Sequence, residues 1–101
     1  MSITSTSSPD GSEVTVFIEG RFDFSSHQVF RKAYENLDVA PEFYIVDMSA
    51  TSYLDSSALG MLLLLRDYAG GDSAKITILN CNEDVKKILA ISNFEQLFTI
   101  K

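Results

Sequence analysis

The sequence predicts an α/β domain: a mixed sheet of about four to five strands, the first pair antiparallel and the rest largely parallel, with three to four helices. Three observations carry this. The turn former Pro9-Asp10-Gly11-Ser12 separates two strand-like runs, as in a hairpin. After it, apolar runs of strand length alternate with segments of helical period, and strands joined through helices need crossovers that yield a parallel sheet. The chain has 101 residues, enough for one modest core and too few for two, so residues 1–101 are expected to form one domain.

In order, Ile3 to Ser8 is a short edge strand, weakly marked because serine and threonine dominate it. Val14, Val16 and Ile18 alternate with Thr15, Phe17 and Glu19, the two-residue period of a second strand, which runs into Gly20. Ser25 with Gln28 fits a capping box, and Phe30, Ala33, Tyr34 and Leu37 follow at helical spacing, so a first helix is expected from about Ser26 to Leu37. Phe43-Tyr44-Ile45-Val46 reads as a strand covered on both faces. Ala58 to Leu65 is apolar apart from Gly60, and Gly70-Gly71 is a plausible stop for that helix. Ile76 to Leu79 is another strand. Asn82 then caps a helix with Glu83 and Asp84 in its first turn, Lys86 and Lys87 further along, and Val85, Ile88 and Leu89 on one face. Asn93 is its expected end, Phe94 to Leu97 one extra turn, and Phe98-Thr99-Ile100 a final edge strand or a tail.

Composition narrows the function. Eight basic and fourteen acidic residues leave a net charge of −6, so nucleic acid and anionic membrane surfaces are poor partners. The longest apolar stretch falls far short of the roughly 20 residues that span a bilayer, so no membrane insertion is expected. The N-terminus shows no basic region followed by an apolar run, so no signal peptide is expected. Cys81 is the single cysteine; a core thiol in a reducing cytoplasm is expected, since no basic residue adjoins it in sequence.

The centre of the chain is Asp47 to Leu65, which joins the most strand-like run to the most apolar helix. Asp55, Ser56 and Ser57 are side chains suited to a helix N-terminus. Simple capping explains them. A serine placed there also meets unpaired N–H groups and the positive end of the helix dipole, which stabilise an added anion, so Ser56 is a candidate phosphate carrier. The loops after the second strand and after Val46 should open on the same edge of the sheet. Asp23, Asp47, Asp55 and Ser56 are then expected near one another, either as solvated turn makers or as groups that position Ser56 or a metal-bound nucleotide brought by a kinase. Leu62 to Leu65 span more than one helical face, so either the fold covers both sides or some leucine faces outward beside Ser56; burial is the expectation. Gly60 costs about 1 kcal/mol against alanine in a helix and is expected to admit a neighbouring backbone.

Tyr53-Leu54-Asp55-Ser56-Ser57-Ala58-Leu59-Gly60, together with Gly20-Arg21-Phe22-Asp23, resembles the signature of the STAS family, typified by bacterial anti-sigma-factor antagonists. The resemblance runs over nearly the whole chain in length and element order; Ala58 departs from a glycine frequent in the family, which should firm the helix start. It implies a STAS-like fold and a non-enzymatic, cytoplasmic regulator, expected to be a monomer. Ser56 matches the phosphorylated position, with Asp23, Asp55 and Ser57 supporting it, and Gly20, Arg21, Phe22, Tyr53, Leu54, Ala58, Leu59 and Gly60 form the implied partner-binding surface. The implied partners are an anti-sigma-like serine kinase, a phosphatase, or both, with biofilm, exopolysaccharide or motility control as possible output. An alternative within the family is a structural subunit of a lipid-transport ATP-binding cassette complex.

Catalytic readings find little support. A serine hydrolase needs a base beside its nucleophile; the only histidine is His27, for which surface or capping duty fits better, and no Gly-x-Ser-x-Gly elbow occurs. There is no Gly-x-x-x-x-Gly-Lys-Ser/Thr loop. One Cys and one His exclude the usual zinc sets, and no metal or cofactor is expected.

Overall fold

The computed structural model describes residues 2–35, 37 and 39–101. The elements run β1 (Ser2–Ser7), β2 (Glu13–Phe22), α1 (His27–Glu35), β3 (Phe43–Asp47), β4 (Thr51–Leu54), α2 (Ser56–Tyr68), β5 (Ile76–Leu79), α3 (Glu83–Ile91) and β6 (Thr99–Ile100), with single 3-10 turns at Phe24–Ser26, Gly71–Ser73 and Phe94–Gln96. Among the described residues the sheet has six strands in the order β1-β2-β3-β5-β6, and β4 pairs with β2 off that path. Only β1 and β2 are antiparallel; every other pairing is parallel.

The hairpin closes on Asp10, whose Oδ1 accepts from the Ser8 hydroxyl at 2.9 Å, the Ser12 N–H at 3.0 Å and the Ser12 hydroxyl at 2.8 Å. These bonds, led by the Ser12 N–H, pull its carboxyl down to about 2. The crossovers β2-α1-β3, β3-α2-β5 and β5-α3-β6 all step the same way across the sheet, so right-handed connections stack the helices on one face. That face carries Val14, Val16, Ile18, Tyr44, Val46, Ile76 and Ile78, all buried, together with Met61, Leu62 and Leu65 of α2 and Val85 and Leu89 of α3.

Among the described residues the opposite face has no helix layer. Phe43 is 41% exposed there, while Tyr44 and Val46 are buried. The expected double coverage of the Phe43 strand is therefore incorrect: its four consecutive apolar residues mask a one-sided burial pattern. The first helix also differs. Ser26 belongs to the preceding 3-10 turn and Leu37 lies outside the helix; of the expected span, Asn36 falls outside the described residues. The capping box joins Asp23 and Ser26, not Ser25 and Gln28, because a 3-10 turn inserted before the helix moves the start back by several residues. Of the expected strand or tail Phe98-Thr99-Ile100, Thr99 and Ile100 form an edge strand paired against Thr77 and Ile78, while Phe98 lies just before it.

Candidate functional site

Gly20 sets the geometry of the site. It adopts φ 87°, a region that glycine enters without steric cost, and the pairing of β2 shifts register between Gly20 and Arg21. The Gly20 N–H donates to the Ala50 carbonyl at 2.9 Å. Past this bulge, β2 continues with a new neighbour, Arg21 opposite Tyr53 and Phe22 opposite Leu54. The expected loops after Gly20 and Asp47 are thus partly strand. Four residues at β4 were too few for periodicity to reveal, and they are anchored by the buried Thr51, whose hydroxyl donates to the Ile18 carbonyl at 2.7 Å.

The consequence is that Asp23 and Asp55 leave the sheet side by side. The Asp55 N–H donates to the Phe22 carbonyl at 3.3 Å, and the Asp55 carboxylate caps α2 by accepting from the Ala58 N–H at 2.9 Å. Caps of this kind are worth about 1 kcal/mol. Ser56 and Ser57 are the first two helical residues, Ser56 exposed and Ser57 half-buried. Ser56 therefore stands exposed at the positive end of a thirteen-residue helix.

Asp23 holds a second, smaller helix start. Its Oδ1 accepts from the Ser25 N–H at 3.0 Å and the Ser25 hydroxyl at 2.5 Å. The Ser25 hydroxyl above all, then its N–H and the Arg21 charge, hold the Asp23 carboxyl below its usual range against an opposing desolvation effect. Arg21 lies 3.8 Å from Asp23 Oδ2 and stacks its guanidinium 4.7 Å from the centre of the Tyr53 ring. Surface pairs of this sort contribute little to stability, which leaves Arg21 free to exchange partners.

Asp47 does not join this group. It sits opposite Phe17, six residues before Asp23 on β2, or about 20 Å along a strand, and it accepts from the Ser49 N–H at 2.9 Å and from Asn80 Nδ2 at 3.4 Å. His27 stacks on Phe24 with ring centres 6.1 Å apart and lines a small hollow with Phe30, Met61 and Leu64. Among the described residues no group of three or more His, Cys, Asp or Glu side chains is arranged to hold a metal ion. No described helix is long and apolar enough to cross a membrane. Cys81 is half-buried against the core, and that burial raises its thiol above the ordinary value while Lys86 opposes the shift.

The implied docking surface needs three corrections. Phe22, Leu54 and Ala58 are at most 1% exposed, because the alternation of β2 and β4 and the inner face of α2 turn them into the core. They support the surface from beneath. Arg21, Tyr53, Ser56 and Gly60 are exposed, and Gly20 and Leu59 are half-buried. Sequence reasoning missed Phe24, 72% exposed next to Asp23, for which no pattern gave a signal. The expected burial of the leucine run holds only for half of it: Leu62 and Leu65 are buried, whereas Leu63 and Leu64 are 39% and 50% exposed. Leu63 was legible, since it falls seven residues after Ser56 and so on the same helical face.

Gly60 is also exposed, and a Cβ built there meets nothing within 4 Å. The expected close approach of a neighbouring backbone does not occur. Gly60→Ala is accordingly expected to raise unfolding free energy by about 1 kcal/mol, read as a higher urea midpoint at unchanged slope.

Comparison with known proteins places this arrangement. The STAS-domain family model matches residues 5–101. The chain is 61% identical over 100 residues to a STAS-domain containing protein of Pseudomonas aeruginosa strain UCBPP-PA14, covering 99% of each. In structure it is similar to the phosphorylated form of the Bacillus cell fate determinant SpoIIAA, with a TM-score of 0.73 at 16% identity over 99% of this chain and 91% of that one. It is also similar to an anti-sigma factor antagonist from Mycobacterium paratuberculosis, with a TM-score of 0.76 at 16% identity over 98% of this chain and 85% of that one. At these identities the two structures speak for the fold. With the family match over nearly its whole length and a relative at 61% identity, the chain belongs to the STAS-domain family.

Proposed function

We propose that this chain is a non-enzymatic, cytoplasmic partner-switching regulator. Ser56 is phosphorylated by a cognate serine kinase and restored by a phosphatase, and its state decides which regulator protein the domain binds. The observation that carries this reading is the exposure of Ser56 as the first residue of α2, capped by Asp55, whose own N–H is held by the Phe22 carbonyl one residue before Asp23. Similarity to proteins named anti-sigma factor antagonists and to a structure named as a phosphorylated form supports it. Control of biofilm or exopolysaccharide production is the proposed output.

Phosphate brings about −1.5 to −2 charge at neutral pH to a chain already at −6. The helix end stabilises that charge in the free protein. A partner seated over Phe24, Tyr53, Leu63 and Leu64 would instead have to desolvate it, so phosphorylation weakens docking with little change in fold. Mass spectrometry of the protein from its native cell, with and without the neighbouring kinase, tests the assignment: a single phosphate on Ser56 that disappears with the kinase is expected. Absence of any modification at Ser56, together with co-purification of a transporter ATPase, would replace this reading with that of a structural subunit.

A further inference from the structure

Three residues before Ser56, Tyr53 carries a cation that the family resemblance does not explain. Arg21 faces Tyr53 across the β2–β4 pairing, and Ser56 opens α2 three residues beyond Tyr53, which is at most about 11 Å of chain. Arg21, Tyr53 and Ser56 are all exposed, while Phe22 and Leu54 are buried. The guanidinium rests on a ring face and beside a carboxylate that the Ser25 hydroxyl and N–H already satisfy. Neither contact is one that a phosphate would fail to displace, because a guanidinium pairs with phosphoryl oxygens by two parallel charge-assisted hydrogen bonds.

The other basic side chains sit on other elements: Lys32 is in the last turn of α1, and Lys101 follows β6, where its carbonyl accepts from the Asn80 N–H at 3.1 Å. Arg31 pairs with Glu35, Arg66 with Asp72 and Lys75 with Glu42. Lys86 and Lys87 ride on α3, whose capping residue Asn82 donates to the Thr51 carbonyl at 3.1 Å, at the end of β4 away from Ser56.

Accepting the reading of Ser56 as the phosphoacceptor, we propose that Arg21 is the counter-ion of the phosphate: on modification its guanidinium leaves the Tyr53 ring and Asp23 and closes on the phosphoryl group. The switch then rebuilds the docking surface as well as charging it. An unphosphorylated domain presents an aromatic ring covered by a cation, and a phosphorylated one presents a bare ring beside an anion that one guanidinium only partly offsets.

The test installs phosphoserine at position 56 during translation and follows the phosphate by phosphorus NMR against pH. Its second ionisation, ordinarily near pH 6, is expected to rise by about half a pH unit in Arg21→Ala at low salt. Arg21→Lys should show a smaller rise, and the difference should shrink at about 0.5 M salt. Ring signals of Tyr53 should differ between the serine and phosphoserine forms when Arg21 is present, and much less in Arg21→Ala. An ionisation that ignores Arg21→Ala, or Tyr53 signals that ignore the phosphate, overturns the proposal. Because no kinase is used, these outcomes are independent of whether Ser56 is modified in the cell, which the mass spectrometry decides.

Discussion

Ser56→Asp should bind the regulator that recognises the unmodified domain at least about a hundredfold more weakly than wild type, a loss of roughly 3 kcal/mol. Ser56→Ala should bind like unmodified wild type. The contrast follows from where the hydroxyl sits. Ser56 is exposed at the first position of α2, so deleting its oxygen leaves no buried group unpaired. A carboxylate there gains from the helix dipole in the free protein but must be stripped of water under a partner that covers Tyr53 and Leu63, and an uncompensated buried charge is expensive. The fold should not register the change: urea midpoints of Ser56→Asp and wild type should agree or favour the aspartate slightly. Titration calorimetry on the purified pair measures the affinities. If wild type, Ser56→Ala and Ser56→Asp all bind alike while the cellular protein is fully phosphorylated at Ser56, the switch is refuted.

Phe22→Ala is expected to lose about 3 to 5 kcal/mol of unfolding free energy. Phe22 is 0% exposed, and its ring lies 5.0 Å from that of Phe30 at 56°, so truncation opens a cavity between β2 and α1 that neither rigid element can close. Set against the roughly 5 to 15 kcal/mol that stabilises a typical domain, this loss approaches complete unfolding. Urea denaturation followed by far-ultraviolet dichroism reads it, and Phe22→Leu, which keeps most of the volume, should retain a cooperative transition. Tyr53→Ala, at an exposed position on the neighbouring strand, should change stability far less. Equal midpoints for Phe22→Ala and wild type would contradict the burial. The result matters for function as well, because a binding defect in a Phe22 variant would report collapse of the platform and not loss of a contact.

The parts of the fold that repeat a simple period could be read directly. Val14, Val16 and Ile18 announced the buried face of β2, and Asn82 with Glu83 and Asp84 announced the start of α3, where the Asn82 side chain accepts from the Val85 N–H at 2.8 Å. What escaped was set by tertiary context. The bulge at Gly20 extends β2 toward β4, and nothing in the local sequence says that a glycine there continues a strand instead of ending it. Phe22, Leu54 and Ala58 lie inside the two motifs that mark the site, so motif membership suggested surface where strand and helix geometry imposed burial. Asp47 looked like a third carboxylate of the cluster because it ends a strand on the same side of the sheet. The stagger of β3 against β2 separates it from Asp23, a distance visible only once the register is known.

The way Asp55 is held has a last consequence. Its backbone is tied to Phe22 and its carboxylate to Ala58, so the residue that follows is displayed at a fixed orientation by pieces of chain more than thirty positions apart in sequence. A modifying enzyme that selects this serine from the many others is reading a folded shape. An isolated peptide of the same residues lacks the strand that holds them in place, and heat or urea should erase the target along with the tertiary structure.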